Sequence, residues 1–328
     1  MKDRQRDRVP PYIPPSYQAF LRIRKVYRQT LTRLQERAAK HRPLNPLLED
    51  GEPDAPLSDG ASLPNPREAI NKCARWLHED LERPEIKAVA DQISTLKTDL
   101  TSCGLRFTNT AGNFLARQYT PTFEQGKLWE DAWLIHHSRV TPGQRILDVG
   151  GASTIFSFYL ASIGCRVAVL DNDWANCGTI FNARYVAKRM GWDLAAWDRD
   201  VEQPLPFPEE RFDRVYSVCV LEHLPSEVRQ FLMREIGRVL KPGGIVGLTM
   251  DYDEARPVLL TDKGLRFAQK AKLERDVIRP SGLTVYGPSS WVDACPNETF
   301  LGALFLERPL QSTRPESSDA RRQASTRH

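Results

Sequence analysis

Carboxylates, glycines and one histidine recur in this chain just after short apolar runs. RILDV (145–149) holds Asp148 and leads into Gly150-Gly151, and RVAVLD ends at Asp171, followed by Asn172 and Asp173. DLAAWD leads to Asp198-Arg199-Asp200-Val201, and RFDRVYSVCV carries Cys219 and runs into Leu221-Glu222-His223-Leu224. If each run is a strand of one parallel sheet, these groups meet in the crevice beyond the carboxyl ends of the strands, where open α/β sheets bind ligands. A carboxylate offers two acceptor oxygens and no donor, so Asp171, 23 positions after Asp148, suits a pair of ribose hydroxyls. Each charge-assisted bond of that kind is worth about 1.5–3 kcal/mol. The glycine turn suits a nucleotide cofactor that approaches the backbone closely, yet Ala152 and Thr154 stand where spaced glycines would continue.

The elements that must position these groups follow from periodicity. Strands are predicted at RILDVG, RVAVLD, DLAAWD, RFDRVYSVCV and GIVGLTM, with helices beginning near Ser153, Trp174 and Ser226. Short apolar runs alternating with helices mean a parallel sheet with crossovers, an α/β fold. After a helix around LTDKGLRFAQKAKL come SGLTVYG and TFLGALFLE, a hairpin-like edge that brings the strands to seven. Ahead of the sheet, NPREAINKCARWLHEDLER is expected to be helical, with Asn65 as N-cap, Pro66 at the first helical position and Pro84 ending it. A second helix closes near Gly104, and a third, FEQGKLWEDAWLIHHSR, leads into the first strand. Residues 67–120 therefore read as a helical cap and 121–307 as the sheet-bearing domain.

The termini differ in character from this body. Of the 328 residues, 41% are apolar, enough for a substantial core. Residues 1–43 carry 12 Lys/Arg against 3 Asp/Glu and 308–328 carry 5 against 2, so the overall +4 leaves 44–307 at −8. Within 1–66, Phe20, Ile23, Tyr27, Leu31 and Leu34 form one helical stripe among arginines, followed by a linker rich in proline, glycine and aspartate. Such a basic helix can meet nucleic acid or an anionic membrane, and packing on its own domain or a partner is the preferred reading. The stretch 308–328 reads as a disordered tail. Six cysteines without a CxxC pair suggest neither a zinc site nor a disulfide framework. With no signal-like apolar run, and no stretch near the roughly 18 apolar residues of a membrane span, the expectation is a cytoplasmic protein.

The ordered set RILDVGG, VAVLDND, LPFPEERFDRVYSVCVLEHL and EIGRVLKPGGIVGL resembles the class I S-adenosylmethionine-dependent methyltransferases, over roughly residues 120–307. The run from Leu205 to Leu224 is the specific part and is closely similar to the generic small-molecule branch. The resemblance implies a Rossmann-like sheet of seven strands, mostly parallel with one antiparallel strand, and S-adenosyl-L-methionine as cofactor. Gly150 and Gly151 would lie against its methionine part with Asp148 supporting the amino group, and Asp171 would bind the ribose. Asn172, Asp200 and Val201 would lie by the adenine, and Cys219 would border the site. The family's usual loop is DxGxGxG. The departure at Ala152 and Thr154 weighs more against a dinucleotide, whose pyrophosphate needs the second glycine, than against a cofactor without phosphate.

Methyl transfer from a sulfonium needs mainly alignment, which can supply up to roughly 7–11 kcal/mol. A general base is needed only where the acceptor loses a proton, and His223 is the best-placed candidate, with helix entry as its structural alternative. Trp129 and Trp133, with Glu130 beside them, are similar to a Trp-Glu-Tyr-Pro-like stretch of some methyltransferases, and core packing is the preferred reading. The expected function is methylation of a small-molecule or sugar-containing acceptor, oxygen being mildly preferred because no Asn-Pro-Pro-Tyr-type motif follows strand four. A nucleic-acid methyltransferase and a noncatalytic scaffold are the alternatives.

Overall fold

In the computed structural model, residues 67–108, 121–172, 178–252, 273–290 and 300–310 are described. Five parallel strands form the middle of the sheet: β2 (Arg145–Val149), β3 (Arg166–Asp171), β4 (Leu194–Asp198), β5 (Phe212–Val218) and β6 (Leu240–Tyr252). The final strand β8 (Phe300–Glu307) runs antiparallel to β6, and with a short first strand, β1 (Lys72–Cys73), the full order is β1-β8-β6-β5-β2-β3-β4. The central strands are apolar on both faces because both are covered. Ile146, Val167, Val169, Tyr216 and Phe305 enter one core cluster, while Leu147, Val149, Leu170, Val215, Val246 and Leu306 enter the other.

The helices supply the two covers. α1 (Leu77–Leu81), α2 (Pro84–Ser102), α3 (Pro121–His137), α4 (Ile155–Ser162) and α5 (Thr179–Met190) contribute to the first cluster. α6 (Ser226–Val239) places Leu232, Met233, Ile236 and Val239 in the second, joined by Val277 from a π turn at Glu274–Ile278. In α2 the apolar residues Ile86, Ala90, Ile93, Leu96 and Leu100 recur every three or four positions and are the buried ones. Pro84 both stops the preceding helix and opens this one, since its missing N–H costs nothing at a first helical position.

The sheet has eight strands, not seven. Within its described residues, the stretch read as one helix up to Pro84 instead forms β1 (Lys72–Cys73), a 3-10 turn (Ala74–Trp76) and only then α1, while its expected start at Asn65 and Pro66 lies outside the described residues. The reason is the outer edge of β8, whose unpaired backbone groups need partners. Lys72 and Cys73 pair with Ala303 and Gly302, and β7 (Thr284–Val285) pairs further along the same edge. Asn71 closes the gap: its Oδ1 accepts from Phe305 N at 2.6 Å and its Nδ2 donates to Tyr286 O at 2.8 Å. The helix start read near Trp174 lies outside the described residues, and α5 begins at Thr179 with Gly178 as its N-cap. The basic helix within 1–66 and almost all of the helix around 260–273 lie outside the described residues.

Candidate cofactor and active site

Sheet order reverses between β2 and β5: β3 and β4 lie to one side of β2, and β6 and β8 lie beyond β5. In such sheets the ligand crevice opens at this reversal, past the strand carboxyl ends. The turn after β2 is built for close approach. Gly150 has φ +89° and its N–H donates to Leu170 O at 2.7 Å. A Cβ at Gly150 would collide with Val220, and one at Gly151 would overlap the Asp148 carboxylate.

Asp148 is fully buried; Ser157 Oγ donates to its Oδ2, while its Oδ1 has no hydrogen-bond partner among the described residues. Burial raises the carboxyl pKa to about 7, with the Ser157 hydrogen bond opposing and the Asp171 charge adding to the rise. Asp171, also buried, accepts from Ala152 N at 3.2 Å and from Asn172 N at 2.7 Å. Asn172 Nδ2 donates to Asp200 Oδ2 at 3.1 Å, and Asp200 Oδ1 accepts from Glu202 N at 3.0 Å. Val201 packs against the second core cluster beside them. The groups read from β2, β3 and β4 thus form one linked rim. Asp173 and Trp174 lie outside the described residues.

Ala152 and Thr154 have definite work in this loop. The Ala152 amide is a ligand to Asp171, and its methyl group is buried in the core. Thr154 is the N-cap of α4, accepting from Ser157 N at 3.2 Å and donating to Gly151 O at 2.8 Å.

Across the reversal, Cys219 follows β5 in a left-handed backbone conformation, φ +52°. Its thiol donates to Glu130 Oε1 at 2.8 Å and accepts from Lys127 Nζ at 3.1 Å, while Lys127 and Glu130 form an ion pair at 2.6 Å. Burial, reinforced by the Glu130 and Glu222 charges, pushes the Cys219 thiol well above its ordinary range, so it is a neutral polar group rather than a nucleophile. Burial alone would depress Lys127, but the adjacent Glu130 carboxylate outweighs it and holds the ammonium charged. Neighbouring Asp131 is pushed well up by burial and then by Glu130. Lys127 and Asp131 do not stand out in the sequence because the two tryptophans dominate the helix. Three charged residues within an otherwise apolar helical stretch were the available signal.

His223 sits in a 3-10 turn, Leu221–His223, with its side chain exposed. Among the described residues that side chain makes no hydrogen bond, and the structure does not bring it into the linked rim. Trp129 and Trp133 are core residues: both are fully buried and stacked at 5.4 Å, with their indole N–H groups donating to Asp80 Oδ2 and Ile70 O.

A parallel α/β sheet with a glycine turn and strand-end carboxylates at its reversal defines a Rossmann-like nucleotide-cofactor fold. Residues 147–248 match the family described as methyltransferase domain. The chain carries a class I S-adenosylmethionine-dependent methyltransferase domain, and the cofactor of that family is S-adenosyl-L-methionine. A sterol 24-C-methyltransferase of Eremothecium gossypii is 31% identical over 150 residues, covering 43% of this chain and 39% of that protein. A sterol 24-C-methyltransferase of Schizosaccharomyces pombe is 28% identical over 177 residues, covering 52% and 45%. The chain thus spans about two fifths of the length of these curated relatives. Among solved structures, the 4+2 cyclase SpnF has a TM-score of 0.48 at 17% identity, covering 67% of this chain and 93% of its own. The residues present fit the cofactor: Asp148 Oδ1 is a buried acceptor without a partner among the described residues, and Gly151 leaves room that any side chain would take from that carboxylate.

Proposed function

We propose that the protein transfers a methyl group from S-adenosylmethionine to a small-molecule or sugar-containing acceptor. The observation that carries this reading is the linked rim Ala152–Asp171–Asn172–Asp200 beside the Gly150-Gly151 turn. When bound, the cofactor supplies a methyl group on a sulfonium that is already a good leaving group. The chain's own contribution is to fix that donor: Asp171 receives the ribose hydroxyls, Asp148 faces the methionine amino group, and Asn172, Asp200 and Val201 bracket the base. Cys219, Lys127 and Glu130, on the β5 and β6 side of the reversal, border the acceptor. His223 is the candidate for the acceptor's proton.

Oxygen is the preferred acceptor atom because the residues after β5 read Cys219-Val220-Leu221-Glu222-His223, without an N-methylation motif. Methylation at carbon is the second reading, supported by relatives named sterol 24-C-methyltransferases. No helix among the described residues is long and apolar enough to cross a membrane. The described cysteines, Cys73, Cys103, Cys165 and Cys219, are free, which supports a reducing cytoplasmic setting.

Calorimetry with S-adenosylhomocysteine tests the cofactor half: the full chain binds, and Asp171→Ala weakens binding by about tenfold or more, as loss of a charge-assisted hydrogen bond requires. No binding by the full chain leaves the scaffold alternative. Labelled S-adenosylmethionine with fractionated cell extract tests the acceptor half. Label in small molecules supports the proposal, label in RNA overturns it, and the carbon-13 methyl shift of the product separates O–CH3 from C–CH3.

A further inference from the structure

The turn after β2 has Ala152 and Thr154 where the family loop has glycines, and between them a serine in a strained conformation. Ser153 is fully buried with φ +62°, a left-handed conformation that L side chains rarely adopt without outside support. Three partners hold it. Its Oγ donates to Thr179 O at 2.5 Å, at the start of α5, and accepts from Asn182 Nδ2 at 3.0 Å. Its carbonyl accepts from Thr108 N at 2.8 Å, and Thr108 O accepts in turn from Ile155 N at 2.8 Å. The same Asn182 Nδ2 donates to Arg106 O at 2.9 Å. One amide therefore ties together the turn after β2, the start of α5 and the segment that follows α2.

Asn182 is not explained by its own stability. It is almost completely buried, yet its Oδ1 has no hydrogen-bond partner among the described residues, an arrangement that native cores avoid unless something else requires it. Leucine or alanine would fill an inward position of α5 without that penalty. The requirement is geometric, because only a side chain with two N–H groups can reach Ser153 Oγ and Arg106 O at once.

We propose that Asn182 and Ser153 form a clasp that holds the turn after β2 in its left-handed conformation at position 153. Asn182 is a positioning residue that holds the turn in its cofactor-binding shape and couples residues 105–108 to cofactor occupancy. The inference rests on reading the turn as an S-adenosylmethionine site. Glycine takes positive φ without support, so a chain with glycine at 153 does not need the clasp. This dependence makes the proposal testable by rescue.

The test is calorimetric titration of the full chain and its variants with S-adenosylhomocysteine, alongside thermal melting and amide hydrogen exchange. Asn182→Ala is expected to weaken binding about tenfold, the loss of one or two buried hydrogen bonds. Adding Ser153→Gly to that variant is expected to restore affinity to within about threefold of wild type. In the wild-type chain, exchange at the Thr108 and Ile155 amides should slow on adding S-adenosylhomocysteine. A lowered melting temperature with unchanged affinity, or equal weakening with and without Ser153→Gly, overturns the clasp. Should Asn182→Ala fail to fold, Thr108 and Ile155 exchange that ignores the ligand in the wild-type chain overturns it instead. If the wild-type chain does not bind at all, the cofactor reading itself fails, a result distinct from every variant outcome.

Discussion

Asp148 shows what a single buried carboxylate does to pH dependence. Its pKa stands at about 7 in the folded protein, against an ordinary value near that of a free carboxylate, chiefly because burial disfavours its charge. Between those values the folded state keeps a proton that the unfolded chain has released. The group's stabilising contribution is therefore full below the unfolded pKa and lost as pH rises through about 7. An ammonium group facing Asp148 favours its ionised form, so affinity for S-adenosylhomocysteine should rise from about pH 6 to about pH 8, with proton release. Asp148→Asn should flatten that profile, and a wild-type affinity constant across the window would refute the assignment. His223 calls for a different measurement. Its turn is gripped from behind by Arg229, which donates to Leu224 O at 2.7 Å and pairs with Asp276 at 2.8 Å. If His223 accepts the acceptor's proton, His223→Ala should lower turnover about a hundredfold or more with affinity for S-adenosylhomocysteine intact. An unchanged rate at every pH would return it to helix entry.

At the scale of elements, β1 and α3 depart most from what local pattern suggests. Lys72 and Asp80 form a buried ion pair at 2.7 Å, with Lys72 Nζ 4.5 Å from the Trp133 ring centre and Asp80 also receiving Trp129. Burial lowers the Lys72 pKa and raises that of Asp80, each partly offset by the other. Removing one partner strands a charge, so Asp80→Ala should destabilise the fold by roughly 3–5 kcal/mol in urea unfolding. A loss under about 1 kcal/mol would mean that the pair is not structural. The pair fastens β1, and so the protected edge of β8, to α1 and α3. Nothing in the spacing of Lys72 and Asp80 announces this, because the partner strand lies more than two hundred positions away in the chain. The run from Leu205 to Leu224, the most specific signal in the sequence, proves largely architectural. Leu205 N donates to Glu235, and Asp213 joins Arg145 N to Lys241.

For the whole molecule, the sequence alone determined the alternation that makes a parallel sheet, the glycine turn after Asp148 and the acidic residues ending successive strands. These are local facts, legible because strand period, turn chemistry and strand-end position depend on neighbours a few residues apart. The resemblance over roughly residues 120–307 was legible for the same reason. Tertiary structure decided which side chains face one another. Lys127 and Glu130 reach Cys219 only because α3 crosses the end of β5, and Asn182 reaches Ser153 only because α5 begins over the cofactor turn. Likewise β1 is a strand because β8 presents an open edge, against the helical preference of its own segment. Long-range pairing and burial carry energies that local propensity cannot match, so the groups they bring together are set by the fold rather than by spacing along the chain.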